Sequence, residues 1–181
     1  MTNLSLAPEW ECTTWLNTDA PISLASLRGR PVLAAAFQML CPGCVAETIP
    51  QLKRVHQLFS GEQISVVGLH SVFEHHEAMG EAGLRAFLHE YGVRFPVGID
   101  RHIAGDPTPI TMQTYRFRGT PTVLLIDAQG RLRRQHFGHM SDLQLGAEIM
   151  ALIHEATSPA SVSEDSGAAN AGRCEVGGGS C

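Results

Sequence analysis

The sequence predicts an α/β domain with a mixed central sheet and helices on both faces. Short apolar runs of strand length alternate with segments whose apolar residues recur every three or four positions. Strands separated by helices pair in parallel through crossovers, and a late hairpin signal adds antiparallel strands. The chain has 181 residues, of which 44% are hydrophobic, so it can bury the core of one ordinary domain.

The first half of the chain predicts two strand–helix units. Residues 31–37 and 63–70 are short, nearly continuous apolar runs, which is typical of buried strands. The helix after the first strand is expected to kink at Pro50 and to close at Gly61, and the second helix stops at Gly92. The apolar faces of the two helices are Val45, Ile49, Leu52, Val55 and Leu58, then Leu84, Phe87, Leu88 and Tyr91.

The second half predicts a hairpin and a closing helix. Residues 95–100 form a short strand or an extended connection, and a helix is expected near residues 108–115. The run 122–127 is a third buried strand, and the turn AQGR leads from it into LRRQHFG as a hairpin. Ser141 with Gln144 resembles a capping box that opens the last helix.

Composition and charge limit the possible functions. The composition changes near Ala156, so we expect a folded domain over residues 8–156 and a disordered tail over 157–181. The net charge is −5 and no basic stripe is present, which disfavours a nucleic-acid partner. We find neither a signal-like start nor a run of membrane-spanning length, so we expect no membrane partner and a cytoplasmic protein. Thiols are kept reduced there, so a close cysteine pair is more often catalytic or metal-binding than structural.

Such a pair is found in FQMLCPGCVAET, where Cys41 and Cys44 enclose Pro42 and Gly43. Cys41 falls where the first strand ends and a helix begins, and Pro42 suits the first helical position because its missing N–H costs nothing there. Unpaired N–H groups and the helix dipole favour a thiolate at Cys41. Cys44 lies about one turn further on, within reach of a mixed disulfide formed at Cys41.

The CxxC pair at a strand–helix junction and the downstream GTPTVLLID together resemble the thioredoxin-like superfamily. The nearer resemblance is to its redoxin branch, which includes the TlpA/ResA thiol-disulfide oxidoreductases and the AhpC/TSA peroxiredoxins. The resemblance implies that Pro121 is cis, faces the cysteine pair and, with Thr120, shapes the substrate groove. It also implies that no cofactor and no metal is needed, because the sulfurs carry the electrons.

Two departures from the thioredoxin pattern leave the proton transfer for Cys44 open. Ala35 stands where thioredoxins bury an aspartate, and Leu40 stands where many relatives have tryptophan. Another group or a water must therefore move the proton. The candidates are Glu47, His70 and Glu74, with Glu74 slightly favoured. The alternatives are a first-turn acid for Glu47 and ordinary loop residues for His70 and Glu74.

The favoured interpretation is a thiol-disulfide oxidoreductase that acts on a disulfide-containing protein or small molecule and is recharged by a cellular thiol reductant. A thiol peroxidase with Cys44 as the peroxidatic residue is the first alternative, although Cys41, Phe37 and Pro121 stand where that class has other groups. Cys174 and Cys181 in the tail predict a second redox pair; a zinc site with or without the CPGC thiolates, and an inert tail, remain alternatives.

Overall fold

A computed structural model describes residues 5–158 of the chain. Its six strands are β1 (Cys12–Leu16), β2 (Val32–Phe37), β3 (Ser65–His70), β4 (Val97–Asp100), β5 (Thr122–Ile126) and β6 (Leu132–Phe137). Its four α-helices are α1 (Ile49–Leu58), α2 (Glu81–Glu90), α3 (Ile110–Tyr115) and α4 (Asp142–Thr157). The strands form one sheet in the order β1-β4-β3-β2-β5-β6.

The sheet is mixed, as the sequence predicts. β2 pairs in parallel with β3, and β3 with β4, through the crossovers made by α1 and α2. The β5–β6 hairpin adds antiparallel pairing to the other side of β2. All six residues of β2 are buried, because this strand lies in the middle of the sheet and is covered on both faces.

Alternate residues of β2 face two separate apolar clusters. Phe37 and its neighbours at alternate positions pack with Cys44 and with residues of α1, α2 and α4 on one face. Ala34 and Ala36 face the other side, where Met112 and Tyr115 of α3 and the N-terminal segment cover the sheet. The predicted placement of helices on both faces is therefore confirmed.

The edge strand β1 is absent from the sequence prediction. Cys12 to Leu16 includes two threonines and only its last residue is fully buried, so it shows neither an apolar run nor a clear alternation. The strand forms by antiparallel pairing with β4, in which Trp15 lies opposite Gly98 and Leu16 opposite Val97. A strand that is stabilised mainly by pairing with its neighbour need not show a strand pattern in its own residues.

The helix that follows the cysteine pair differs from its prediction. Cys44–Thr48 is a π-helical turn, in which the N–H of Ile49 reaches back to the carbonyl oxygen of Cys44. Pro50 is the second residue of α1 and follows the π turn directly, inside a continuous helical segment that begins at Pro42. The predicted kink at Pro50 is thus replaced by a wide turn before it, and α1 ends at Leu58 rather than at Gly61.

The later boundaries follow the prediction closely. Residues 97–100 of the uncertain 95–100 segment form a strand, and α3 lies inside the expected range. The Ser141 hydroxyl accepts a hydrogen bond from the N–H of Gln144 at 3.3 Å, which caps α4. The Gln144 side chain donates to Glu148 instead of returning to Ser141, so only half of a capping box forms. Within residues 5–158, no helix is both long and apolar enough to cross a membrane.

Candidate active site

The cysteine pair lies at the carboxyl end of β2. The helical backbone begins at Pro42, as the sequence predicts, and both cysteines are free thiols. Cys41 is partly exposed, whereas Cys44 is fully buried behind it. The backbone N–H of Cys44 donates a hydrogen bond to the Cys41 sulfur at 3.2 Å. One sulfur is therefore reachable from outside, and the other is reachable only through it.

The segment before β5 closes the other side of the pair. The Thr120–Pro121 peptide bond is cis, as the resemblance implied. The Cys41 thiol donates to the carbonyl oxygen of Thr120 at 3.5 Å. The Pro121 ring packs next to the CPGC turn, since a methyl group on Gly43 would lie 3.6 Å from its Cδ. Thr120 and Pro121, far from the pair in sequence, thus form one wall of the site.

Burial sets the protonation of the inner cysteine. Desolvation and, to a smaller extent, a hydrogen bond with the Cys41 sulfur raise the pKa of Cys44 to about 12. Smaller effects of the Gln38 backbone and the Thr120 side chain lower this pKa without reversing the shift. Cys44 is therefore held as a neutral thiol.

The sequence analysis missed Gln38, which is only 1% exposed. Its Oε1 accepts a hydrogen bond from the N–H of Phe73 at 3.1 Å. Its Nε2 lies 3.3 Å from the Thr120 hydroxyl oxygen and 3.5 Å from Glu74 Oε1. A polar residue between the apolar strand and the cysteine pair was the available signal, because a buried amide needs partners.

The three candidates for proton transfer occupy different environments. Glu74 is exposed and connects to the site only through Gln38 Nε2. Glu47 is an exposed residue of the π turn and makes no side-chain hydrogen bond in the described part of the chain. His70 is not a loop residue: it ends β3, is 1% exposed and packs its ring 5.3 Å from that of Phe37.

The environment of His70 disfavours its charged form. Burial lowers its pKa to about 4. Its Nε2 is buried and has no hydrogen-bond partner among the described residues. His70 is therefore a neutral imidazole in the core, and its part in the structure is packing.

The two departures from the thioredoxin pattern have clear structural consequences. Ala35 is completely buried in β2, so no carboxylate lies under the pair at this position. Leu40 is 57% exposed beside Cys41 and gives the rim of the site an apolar side chain.

Other predicted sites lie elsewhere. Cys174 and Cys181 are outside the described residues, and so is the predicted tail from residue 159 onward. Within residues 5–158, no three His, Cys, Asp or Glu side chains are grouped as a metal site. Cys12 is half-buried against the tryptophans of the N-terminal segment, away from the pair, and desolvation raises its pKa to about 12.

Comparison with known proteins gives a consistent result. The Redoxin family profile matches residues 5–148. A solved thioredoxin-like superfamily protein, SPOA0173, is 50% identical with a TM-score of 0.79, covering 82% of this chain and 96% of its own. A thiol-disulfide isomerase from Corynebacterium glutamicum is 40% identical with a TM-score of 0.80, covering 84% and 98% of the two chains.

The curated relatives include longer proteins. DipZ of Mycobacterium tuberculosis is 34% identical over 134 residues, which are 70% of this chain but only 17% of DipZ. The thiol-disulfide oxidoreductase ResA of Halalkalibacterium halodurans is 26% identical over 132 residues, covering 73% of this chain and 67% of ResA. The similarities are therefore to thioredoxin-like oxidoreductases.

Proposed function

Because the chain belongs to the redoxin family and has a thioredoxin-like fold, we propose that it is a thiol-disulfide oxidoreductase that works through the CPGC pair. Cys41 is the proposed nucleophile and Cys44 the proposed resolving thiol. The observation that carries this assignment is their unequal burial: Cys41 is partly exposed, whereas Cys44 is fully buried and directs its N–H at the Cys41 sulfur.

The reaction proceeds in two exchanges. The Cys41 thiolate attacks one sulfur of a substrate disulfide, forms a mixed disulfide and releases the other substrate sulfur as a thiolate, which takes a proton from water. Cys44 then loses its proton and attacks the Cys41 sulfur. The Cys41–substrate bond breaks, the Cys41–Cys44 bond forms and the second substrate thiol leaves. The substrate gains two electrons and two protons, and the pair loses them.

Thr120 and Pro121 are the proposed substrate wall. The Thr120 carbonyl oxygen already accepts a hydrogen bond from the Cys41 thiol, so the backbone at this position lies alongside the reacting sulfur. An extended substrate segment laid against Thr120 would bring its disulfide to Cys41. Exposed Leu40 would contact apolar side chains on the same substrate.

The proposed partners are a disulfide-containing protein or small molecule and a cellular thiol reductant. We propose that the pair acts in the reducing direction in the cytoplasm, where the thiol pool keeps such pairs reduced. Thiol trapping of the protein taken directly from cells tests the direction. Recovery of a Cys41/Cys44 dithiol supports it, and recovery of mostly disulfide overturns it.

The structure gives no support to the peroxidase alternative. A peroxidatic cysteine must be reachable and must ionise, whereas Cys44 is fully buried and desolvation raises its pKa to about 12. Pro121 occupies the place where that class needs an arginine to polarise the peroxide, and it packs beside Gly43. The Cys41/Cys44 arrangement fits disulfide exchange better.

Insulin reduction tests the proposed function. With dithiothreitol as reductant, the protein should accelerate precipitation of the freed insulin chain, and Cys41→Ser should abolish the acceleration. Cys12→Ser is the matched control, because Cys12 is a thiol in the same domain with no contact to the pair. No acceleration by the wild-type protein, or equal loss in both variants, would contradict the proposal.

A further inference from the structure

Gln38 connects the reacting cysteine to the substrate wall. Its backbone carbonyl oxygen accepts a hydrogen bond from the N–H of Cys41 at 3.2 Å, and its side-chain Nε2 lies 3.3 Å from the Thr120 hydroxyl oxygen. We propose that Gln38 is a positioning residue that sets the spacing between Cys41 and Thr120, and that this spacing fits the site to polypeptide disulfides. The inference rests on the proposed function and deepens it, because it names the substrate class.

The hydrogen bonds fix which way the Gln38 amide points. The N–H of Phe73 can only donate, so the Gln38 atom 3.1 Å away must be the carbonyl oxygen Oε1. The amide nitrogen Nε2 then faces two acceptors, the Thr120 hydroxyl oxygen and, at 3.5 Å, Glu74 Oε1. The reverse orientation would set an N–H donor against the N–H of Phe73. Gln38 is buried, so these protein groups satisfy the amide and it has one suitable orientation.

The same amide joins the two segments that flank the end of β2. β2 lies between β3 and β5 in the sheet, so the segment after β3 and the segment before β5 lie on its two sides. Gln38 directly follows β2, accepts from Phe73 in the first segment and donates to Thr120 in the second. Neither Phe73 nor Thr120 belongs to a strand or a helix, so no ladder of backbone hydrogen bonds fixes them. The Gln38 side chain therefore holds both segments in place beside Cys41.

A polypeptide substrate depends on this spacing because it has to contact the wall and Cys41 at the same time. Within the described residues, the Thr120 N–H has no hydrogen-bond partner and its carbonyl oxygen has only the Cys41 thiol. An extended segment can pair with both backbone groups, as when a strand is added to the edge of a sheet. A small disulfide without peptide groups makes no such pairing, so its reaction depends on Cys41 alone. Loss of the Gln38 side chain should therefore affect the two kinds of substrate differently.

The test compares two substrates in a parent protein whose Cys174 and Cys181 are replaced by serine. The reduced protein is mixed with a short peptide closed by one disulfide, or with hydroxyethyl disulfide. Closure of the pair, meaning formation of the Cys41–Cys44 disulfide, is followed by thiol trapping.

Gln38→Met keeps the backbone contact with Cys41 and removes the side-chain hydrogen bonds. Loss of one hydrogen bond corresponds to about a threefold to tenfold change, so the rate constant with the peptide should fall by this factor. The peptide concentration for half-saturation should rise while the limiting rate is unchanged, because the lost contact positions the substrate. The rate with hydroxyethyl disulfide should stay within about twofold of the parent protein.

A double-mutant cycle identifies the hydrogen bond responsible. Thr120→Val removes the same bond from its other end, so it should match Gln38→Met with the peptide, and the double variant should be no slower than either. Thr120→Val also decides the test if Gln38→Met does not fold. Gln51→Met is the matched control, since Gln51 is also a buried glutamine but bonds Met140 and Asp142 instead. It should react with both disulfides as the parent protein does.

The outcomes separate the two proposals. If the parent protein reacts with neither disulfide, the proposed function fails. If it reacts with hydroxyethyl disulfide alone, the substrate class is overturned and the oxidoreductase remains. If Gln38→Met slows both reactions equally or neither, or if the effects of Gln38→Met and Thr120→Val multiply, the positioning role is overturned. A selective loss with the peptide in Gln51→Met would also overturn it, because the effect would then be general.

Discussion

The backbone N–H of Cys44 donates to the Cys41 sulfur at 3.2 Å, while the Cys44 side chain is itself fully buried. The resolving residue therefore contributes to the site in two separable ways. Its backbone supports the outer sulfur, and its own sulfur completes the exchange. A side-chain substitution removes the second contribution and leaves the first.

Cys44→Ser should therefore trap the reaction at its midpoint. Cys41 keeps its hydrogen-bond donor and attacks the substrate disulfide, but no second thiol displaces the product. We expect a stable mixed disulfide on non-reducing gels, in a protein whose tail cysteines are serine. Cys41→Ser should form none, because the remaining Cys44 is inaccessible. Equal trapping by both variants would show that the assignment of roles is wrong.

Closure of the pair should depend steeply on pH. In the dithiol, burial is the main cause that raises the pKa of Cys44 to about 12. Cys44 stays buried when Cys41 carries a substrate, so we expect only a small thiolate fraction near neutrality in the mixed disulfide as well. Below the pKa, the thiolate fraction increases about tenfold for each unit by which the pH rises. The rate of closure should increase in the same proportion. Stopped-flow measurements across the neutral and alkaline range check this. A plateau near neutral pH would contradict a raised pKa in the mixed disulfide.

Glu74→Gln tests the predicted proton acceptor. Glu74 reaches the site through Gln38 Nε2, at the solvent side of the network. General-base assistance contributes about a hundredfold or more when the base is well placed. Gln38 Nε2 only donates hydrogen bonds and cannot pass a proton to Glu74, so we expect closure near neutral pH to change by less than about twofold. Glu47→Gln is the control, because Glu47 is an exposed glutamate near the pair that makes no contact with it. A loss of about tenfold or more in Glu74→Gln alone would show that Glu74 does accept the proton, by a route that avoids Gln38.

His70 should make the fold sensitive to acid. Its pKa is lowered to about 4 by burial, whereas an unfolded chain has a histidine pKa of about 6.5. As the pH falls below about 6.5, the unfolded state takes up the proton first, so stability is full above this value and decreases toward pH 4. The linked loss is about 3 kcal/mol at most.

His70→Leu should remove that part of the pH dependence. Urea unfolding between about pH 7 and pH 4 gives the free energy of unfolding at each pH. The contribution of His70 is the difference between the pH dependence of the wild-type protein and that of the variant. His89→Leu is the control, because His89 is largely exposed on α2. A wild-type slope that is unchanged in His70→Leu would show that other groups cause the acid sensitivity.

Asp127 should be the main polar contributor to the β5–β6 hairpin. Its side chain is 2% exposed, accepts hydrogen bonds from the N–H groups of Gln129 and Arg131, and pairs with the Arg131 guanidinium at 2.8 Å. Asp127→Ala leaves these donors without their acceptor and should lower the free energy of unfolding by about 3 kcal/mol. Asp106→Ala removes exposed contacts to the Thr108 N–H and the Gln113 side chain and should cost under about 1 kcal/mol. Chemical denaturation of both variants provides the comparison.

Local signals predicted most of the elements and the cysteine pair. The apolar runs of β2, β3 and β5 are continuous because these strands are covered on both faces, and Pro42 marks the start of the helix. The position of Pro121 beside the pair came from the family resemblance, because no periodicity places residue 121 next to residue 41.

Contacts between residues that are far apart in the sequence could not be predicted from local sequence patterns. Gln38 gains its partners from residues 73, 74 and 120, which meet only in the folded chain. β1 takes its strand conformation from β4 rather than from its own pattern. The burial of His70 depends on tertiary contacts such as the ring of Phe37. Each of these features is a property of tertiary packing.

The π turn at Cys44–Thr48 has a consequence for comparing and redesigning such proteins. The π turn contains one residue more than an α-helical turn. Side chains after it therefore point in different directions around the helix axis than they would in a regular α-helix that begins at the cysteine pair. Aligning this chain with a relative whose helix is regular needs a one-residue gap after the pair, and deleting one residue of the π turn would rotate Leu52 and Val55 out of the core by about 100°.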